Sequence, residues 1–316
     1  MKRLIMSLML GILLVASGCE TDNQIADIYA SIYPIEYIAK NIVGDDLVVK
    51  SIYPRGKDVH DYELNPRDII RVSKGKIVFY IGQGLEGLIE QSKETVLKDI
   101  PTIALSEGMD LIEINSEDVH DHEHTGGSND GAYYDPHIWL DLEKMQIMTD
   151  KVLTEILATF ELTEEQIQKF ESNSNKLKEK FKELDNDFLG LLNGNDIYNK
   201  IILVDHDAYI YWEVRYNLKR IRIRNDNEST DVITKEMMEK IQLAKDNNIK
   251  YICLTKNEMV SAIANQYKNQ LVIGDDGLLY LHHIATITEK EEKEGMDYLS
   301  LMKHNLDVLD KALPRK

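Results

Sequence analysis

Three histidines stand where a neutral imidazole would be held stiffly enough to bind a metal ion. His137 lies in GAYYDPHIWLD (131–141), between Asp135-Pro136 and Ile138-Trp139-Leu140. Pro136 fixes one backbone angle and biases Asp135 toward an extended conformation, while the apolar residues after the histidine anchor the turn. A neutral imidazole on a rigid support is what a metal site requires. His60 lies in PRGKDVHDYELNPRD (54–68), a loop stiffened by Pro54 and Pro66. His206 lies in Asp205-His206-Asp207, directly after the apolar run 201–204. Alone, such a histidine is more often a core or surface residue than a ligand, so the case for chemistry rests on what the rest of the chain offers it as partners. A further run, VHDHEHT (119–125), alternates His120, His122 and His124 with acids and precedes Gly126-Gly127-Ser128. It has nothing with which to form a core, so it reads as a mobile loop of a kind that binds zinc loosely. A polar insertion with incidental histidines is the plain alternative.

The elements that must position these residues alternate in type. Runs 28–31, 47–52, 76–81 and 102–105 read as strands, with helices over 34–43, 65–73 and 85–97 between them. Such alternation implies a parallel sheet covered on both faces, whose ligands sit beyond the carboxyl ends of the strands. His60 follows the second strand, where that topology places a site. Thr163-Glu164-Glu165-Gln166 opens a helix with a cap-like threonine and early acids. Ile167, Phe170, Leu177, Phe181, Leu184, Phe188 and Leu191 then follow at helical spacing. A helix ending at Leu192 is roughly 45 Å long at ~1.5 Å per residue, a stiffer connection than two loops, so closure about it should be small. The second half repeats the alternation. Strands are predicted over 201–204, 220–224, 250–254 and 271–273, and helices over 208–216, 234–247, 259–267 and 297–313.

The N-terminus reads as an export signal. Met1-Lys2-Arg3 leads into an apolar run to Ala16 that is too short to span a bilayer, which takes ~20 residues. The run stops at Ala16-Ser17-Gly18-Cys19, a pattern resembling the lipobox of bacterial lipoproteins. Acyl chains on Cys19 would tether the mature protein to a membrane surface. Cys253, in the strand-like Tyr251-Ile252-Cys253-Leu254, is then the remaining cysteine and packs as a small hydrophobe, so no disulfide forms within the chain. Roughly 295 mature residues suffice for two lobes with real cores. The formal charge of −18 argues against nucleic acid as a partner and is compatible with a cationic ligand.

Taken together, the loop around His60, YIGQGLEGLI (80–89), the acidic His-rich run, DPHIWLD, VDHDAYIYWEVRYNLKRI (204–221) and YLSLMKHNLDVLDKAL (298–313) resemble the metal-binding lipoproteins of bacterial zinc and manganese ABC importers. The resemblance implies an α/β fold with two parallel-sheet lobes joined by one long α-helix and a metal ion in the cleft between them. It implies a signal peptide over 1–18, an N-terminal lobe over 19–160 with the His-rich loop at 115–131, a linking helix over 163–193 and a C-terminal lobe over 196–316. His60, His137 and His206 become the metal ligands. Histidine at the third position favours Zn²⁺ over Mn²⁺, in line with the preference of imidazole for zinc and of carboxylate-rich shells for manganese. Many members complete the shell with an acid near the last strand, where this chain reads LYLHHIATI (279–287). Ala285 or a neighbour stands at that position, leaving the fourth place to His282, His283, an acid or water. His282 and His283 could equally be solvated loop residues. Residues 225–229 match the family's Glu-Pro-Ser segment with the proline replaced.

The implied function is extracytoplasmic: a monomer, lipid-anchored at periplasm or cell surface, captures zinc and delivers it to the membrane permease of an ABC importer. No enzymatic step is required. A manganese carrier of the same family is the nearest alternative. An exported zinc hydrolase is the competing class, because three histidines with an open fourth place also describe catalytic zinc. The chain lacks HExxH and any carboxylate clearly placed as a general base, although Glu63 and Asp207 lie close to the histidines in sequence. A surface adhesin is a third class, suggested by the lipid anchor alone.

Overall fold

The computed structural model describes residues 25–60, 62–114, 133–223 and 234–316. The export signal with Cys19, the His-rich run and the segment 225–229 lie outside the described residues. The chain opens with β1 (Ile28–Ala30), α1 (Tyr33–Val43), β2 (Val49–Ser51), α2 (Pro66–Val72), β3 (Ile77–Tyr80), α3 (Gly87–Ser92) and β4 (Thr102–Ala104). These strands form a four-stranded sheet of order β2-β1-β3-β4 with every pair parallel. Asn65 caps α2 reciprocally with Asp68, and Pro66 starts the helix where its missing N–H costs nothing. The helix expected over 85–97 shortens to α3. The backbone N–H groups of Thr95 and Leu97 turn back to the Ser92 carbonyl at 3.1 and 3.0 Å and end it.

A two-stranded antiparallel pair, β5 (Glu113–Ile114) and β6 (Tyr133–Tyr134), precedes α4 (Leu142–Thr159) and α5 (Glu164–Leu192). The periodicity reading passed over α4. Its signals are present: Asp141 accepts from the N–H groups of Glu143 and Lys144 at 2.8 and 3.3 Å, and Met145, Met148, Val152 and Ile156 are buried on one face. The 29-residue α5 begins at the predicted Thr163–Gln166 capping box. Phe170, Leu177, Phe181, Leu184 and Phe188 are buried, as their spacing implied. Buried Asp185 pairs with Arg215 and accepts the Tyr216 hydroxyl at 2.8 Å, docking α5 onto the second half, while Asn173 donates to the Ile42 carbonyl of α1 at 3.0 Å.

The second half comprises β7 (Ile201–Val204), α6 (Ile210–Tyr216), β8 (Lys219–Arg222), α7 (Lys235–Asp246), β9 (Ile252–Thr255), α8 (Ala262–Leu271), β10 (Leu278–Leu281), α9 (Glu289–Lys293) and α10 (Tyr298–Ala312). Its sheet has the order β10-β9-β7-β8, again parallel throughout. The strand expected over 271–273 does not form. Leu271 ends α8, Val272 caps it in a left-handed conformation (φ 56°), and the last strand is β10.

Side-chain alternation splits this second sheet between two cores. Ile202, Val204, Cys253, Leu279 and Leu281 join a core continuous with the first lobe and α5. Leu203, Ile252 and Leu254 face α7 and α8 in a smaller core with Met237 and Ile241. Cys253 is a free, buried cysteine, and burial pushes its thiol up to about 12.

Candidate metal centre

The three histidines singled out from the sequence come together. One ring nitrogen from each of His60, His137 and His206 lies within 4.8 Å of the others, and the Nε2 atoms of His60 and His137 are 3.3 Å apart. The ring centroids are 5.3 Å (His60–His137), 6.1 Å (His60–His206) and 5.8 Å (His137–His206) apart. His60 follows β2 and His206 follows β7, both at carboxyl ends of strands, as parallel topology requires. His137 stands at the start of the 3₁₀ turn Ile138–Leu140.

The supports of His137 are the most complete. Its Nδ1 lies 3.0 Å from Oδ1 of buried Asp135, which also accepts its backbone N–H at 2.9 Å. A proton held on Nδ1 by that carboxylate leaves the Nε2 lone pair facing His60, the arrangement that orients a metal-binding imidazole. The Tyr211 hydroxyl donates to the Asp135 carbonyl at 2.8 Å. The Trp139 indole donates to the His283 carbonyl at 2.7 Å, so the turn is bonded to the second lobe as well as buried.

His60 is aimed by Asp58, whose Oδ1 accepts the His60 backbone N–H at 2.8 Å. Burial would raise the Asp58 carboxyl, but the His283 ring and that N–H outweigh it and hold Asp58 well below the usual carboxylate range. Beyond His206, Asp207 is gripped by Arg220 at 2.6 Å and Arg222 at 3.0 Å. Burial raises its carboxyl despite both guanidiniums. A carboxylate held by two arginines is a poor general base, and Glu63 is exposed.

His282 and His283 are not solvated, with exposures of 1% and 6%. They do not join the imidazole cluster either. Nδ1 of His282 accepts the N–H of Ile284 at 2.9 Å, and Nδ1 of His283 accepts that of Ala285 at 3.3 Å. Each ring therefore carries its proton on Nε2, turned toward a carboxylate: Glu291 for His282 (3.5 Å) and Asp58 for His283 (3.0 Å). Burial pushes His282 down to about 4. Ala285 is buried and its carbonyl accepts the Tyr33 N–H at 3.1 Å. Sequence reasoning missed Asp58 and Asp135 as partners of the histidines. Their spacing, each two residues before a candidate, was the available signal.

The YIGQGLEGLI motif serves structure. Glu86 is fully buried and accepts from Ser31 Oγ at 2.5 Å and from the N–H groups of Ile81 and Gly82 at 2.9 and 3.0 Å. It pins a turn in which Gly82 takes φ 93°, where a side chain would also press on Ser106 and Ala104.

A family model described as zinc-uptake complex component A, periplasmic, matches residues 28–312. The chain is 28% identical over 307 residues to the manganese ABC transporter substrate-binding lipoprotein PsaA of Streptococcus anginosus, covering 93% of this chain and 91% of that protein. It is 25% identical over 291 residues to the zinc-binding protein AdcA of Streptococcus pyogenes serotype M3, covering 89% of this chain and 55% of the relative, so it spans little more than half of AdcA. In fold it is similar to the metal-dependent lipoprotein YcdH from Bacillus subtilis, with a TM-score of 0.73 and 21% identity over 90% of this chain and 98% of the other.

Proposed function

The chain belongs to the zinc-uptake complex component A family, metal-binding solute-binding proteins of ABC importers and not enzymes, and on that premise we propose that its cargo is Zn²⁺, held by His60, His137 and His206. One observation carries the reading. Zinc–nitrogen bonds of ~2.05 Å at a tetrahedral angle place neighbouring donor atoms about 3.3 Å apart. The Nε2 atoms of His60 and His137 stand at 3.3 Å. Two lone pairs so close repel unless a cation or proton lies between them, and the Asp135–His137 bond leaves His137 Nε2 as an acceptor. Three nitrogen donors with no carboxylate among them suit zinc better than manganese.

The fourth place is left to water or an acid, since both neighbouring histidines present N–H rather than a lone pair. The mature protein would sit outside the cytoplasmic membrane on lipid-modified Cys19 as a monomer and pass the ion to its permease. The division at 19–160, 163–193 and 196–316 is part of the same reading. Manganese is the second reading, favoured by the name of the PsaA relative. Elemental analysis of the purified protein, followed by competitive calorimetry with both ions, separates the two. Stoichiometric zinc bound more tightly than manganese is expected. Manganese bound in preference at equal concentration would sink the zinc assignment and leave the carrier assignment standing.

A further inference from the structure

Asp58 grips two things at once. One oxygen accepts the His60 backbone N–H at 2.8 Å, and the other faces Nε2 of His283 at 3.0 Å. His60 is carried by the loop between β2 and α2 of the first lobe, while His283 follows β10 of the second. The contact therefore crosses the cleft beside the imidazole cluster. Both side chains are largely shielded, at 17% and 8% exposure, so the interaction is stronger than a surface ion pair. The His283 ring lies 6.1 Å from that of His206, as far as His60 does, yet its lone pair is spent on the Ala285 N–H.

Further bonds join the same loop to the same segment. Gly56 donates its N–H to the Ile287 carbonyl at 3.0 Å and lies within hydrogen-bonding reach of Thr286 Oγ1 at 2.9 Å. Arg55 bridges Glu36 of α1 and Glu292 of α9, at 2.5 and 3.0 Å. The loop carrying one metal ligand is thus fastened to the opposite lobe immediately beside the site.

We infer that Asp58 and His283 form a positioning pair: His283 holds Asp58, Asp58 holds the His60 backbone, and the pair sets how long the site retains its ion without either residue ligating it. The inference rests on the carrier reading above. The segment after β10 then works as a brace across the cleft, in the place where other members of the family offer a ligand. Its neighbour His282 turns toward Glu291 and takes no part.

The test uses the full mature chain loaded with zinc. Release to an excess of chelator is followed by stopped flow for the unsubstituted protein, Asp58→Asn, His283→Gln, the double variant and His282→Gln, and X-ray absorption counts imidazoles around the ion. Losing a bond that orients a ligand typically costs ~10–100-fold in metal affinity, so each single variant at the pair should release zinc ~10–100-fold faster. The double variant should be no faster than the faster single one, because the two residues act through one bond. His282→Gln should stay within about twofold of the unsubstituted protein. The imidazole count should remain unchanged in His283→Gln. Unchanged release in both single variants, effects that multiply in the double variant, or loss of one imidazole in His283→Gln would each overturn the positioning role. Thermal unfolding of the metal-free variants identifies any that fail to fold, and the remaining variant still decides. If the unsubstituted protein binds neither zinc nor manganese, the carrier reading fails, an outcome distinct from all of these.

Discussion

The two lobes share one strand order and use it differently. Numbered from its own first strand, each sheet runs 2-1-3-4 and is parallel throughout. In the first lobe, which holds two of the three imidazoles, the one carried at a strand end leaves the second strand, by way of a loop braced on Asp58. In the second it leaves the first strand directly, at His206. The end of the fourth strand shows the same asymmetry, with Leu105-Ser106 in one lobe and the inward-turned His282-His283 in the other. The shared architecture fixes which edge of each sheet faces the cleft. The loops decide which residues reach the ion, so the site carries none of the symmetry of its scaffold. The cores differ as well. The first sheet belongs to one core continuous with α5, whereas the second is split, its outer face closed off beneath α7 and α8.

The sharpest way to break this comparison is to remove imidazoles one lobe at a time. His206→Ala deletes the second lobe's only donor in the cluster, and His60→Ala or His137→Ala one of the first lobe's two. Each should weaken zinc binding by more than ~100-fold in calorimetry, since a two-imidazole site loses a primary bond rather than a support. Unchanged affinity in any two of them would refute the shared site. Acidification should weaken zinc binding in the intact protein, because protons and metal compete for the same lone pairs.

The split core makes a second prediction. Ile241→Ala, in the outer core of the second lobe, should cost roughly 2–5 kcal/mol of stability in denaturant unfolding. Zinc affinity below the transition should hardly move, because none of the three imidazoles belongs to that core. A comparable loss of affinity would show that the outer layer is part of the site's support.

His282 offers a third, smaller effect. Its folded value of about 4 lies below its ordinary value, so the unfolded chain binds a proton that the native protein refuses. Stability is therefore full above about pH 6.5 and lost progressively as pH falls toward 4, by up to about 3 kcal/mol. Metal-free His282→Gln should show a flatter acid limb than the unsubstituted protein. An identical limb would mean that other groups carry the acid sensitivity. The smallest expected effect belongs to deletion of residues 119–124. Tight-site affinity should change less than about twofold, since the three clustered imidazoles lie outside that segment.

Much of this was legible in the chain because local rules operated without competition. Thr163 and Gln166 form the expected capping box, and the Leu/Phe stripe of α5 is buried where its period places it. His60 and His206 stand at strand ends because parallel sheets leave little else for a loop residue to do. Legibility failed where tertiary contacts overrode local preference. Residues 271–273 resemble a strand, but the left-handed cap at Val272 ends a helix there. Ile284 takes φ 62°, which a β-branched residue adopts only when its surroundings impose it; it is fully buried and its N–H bonds His282 Nδ1. That turn determines where both histidines face, and no spacing rule announces it.

Cys253 has one further consequence. It lies on β9, alongside Val204, the last residue of the strand that leads to His206. A thiolate on that strand would be a soft ligand for a cation and open to oxidants. Sealed in the core with its proton held, the sulfur is withdrawn from both.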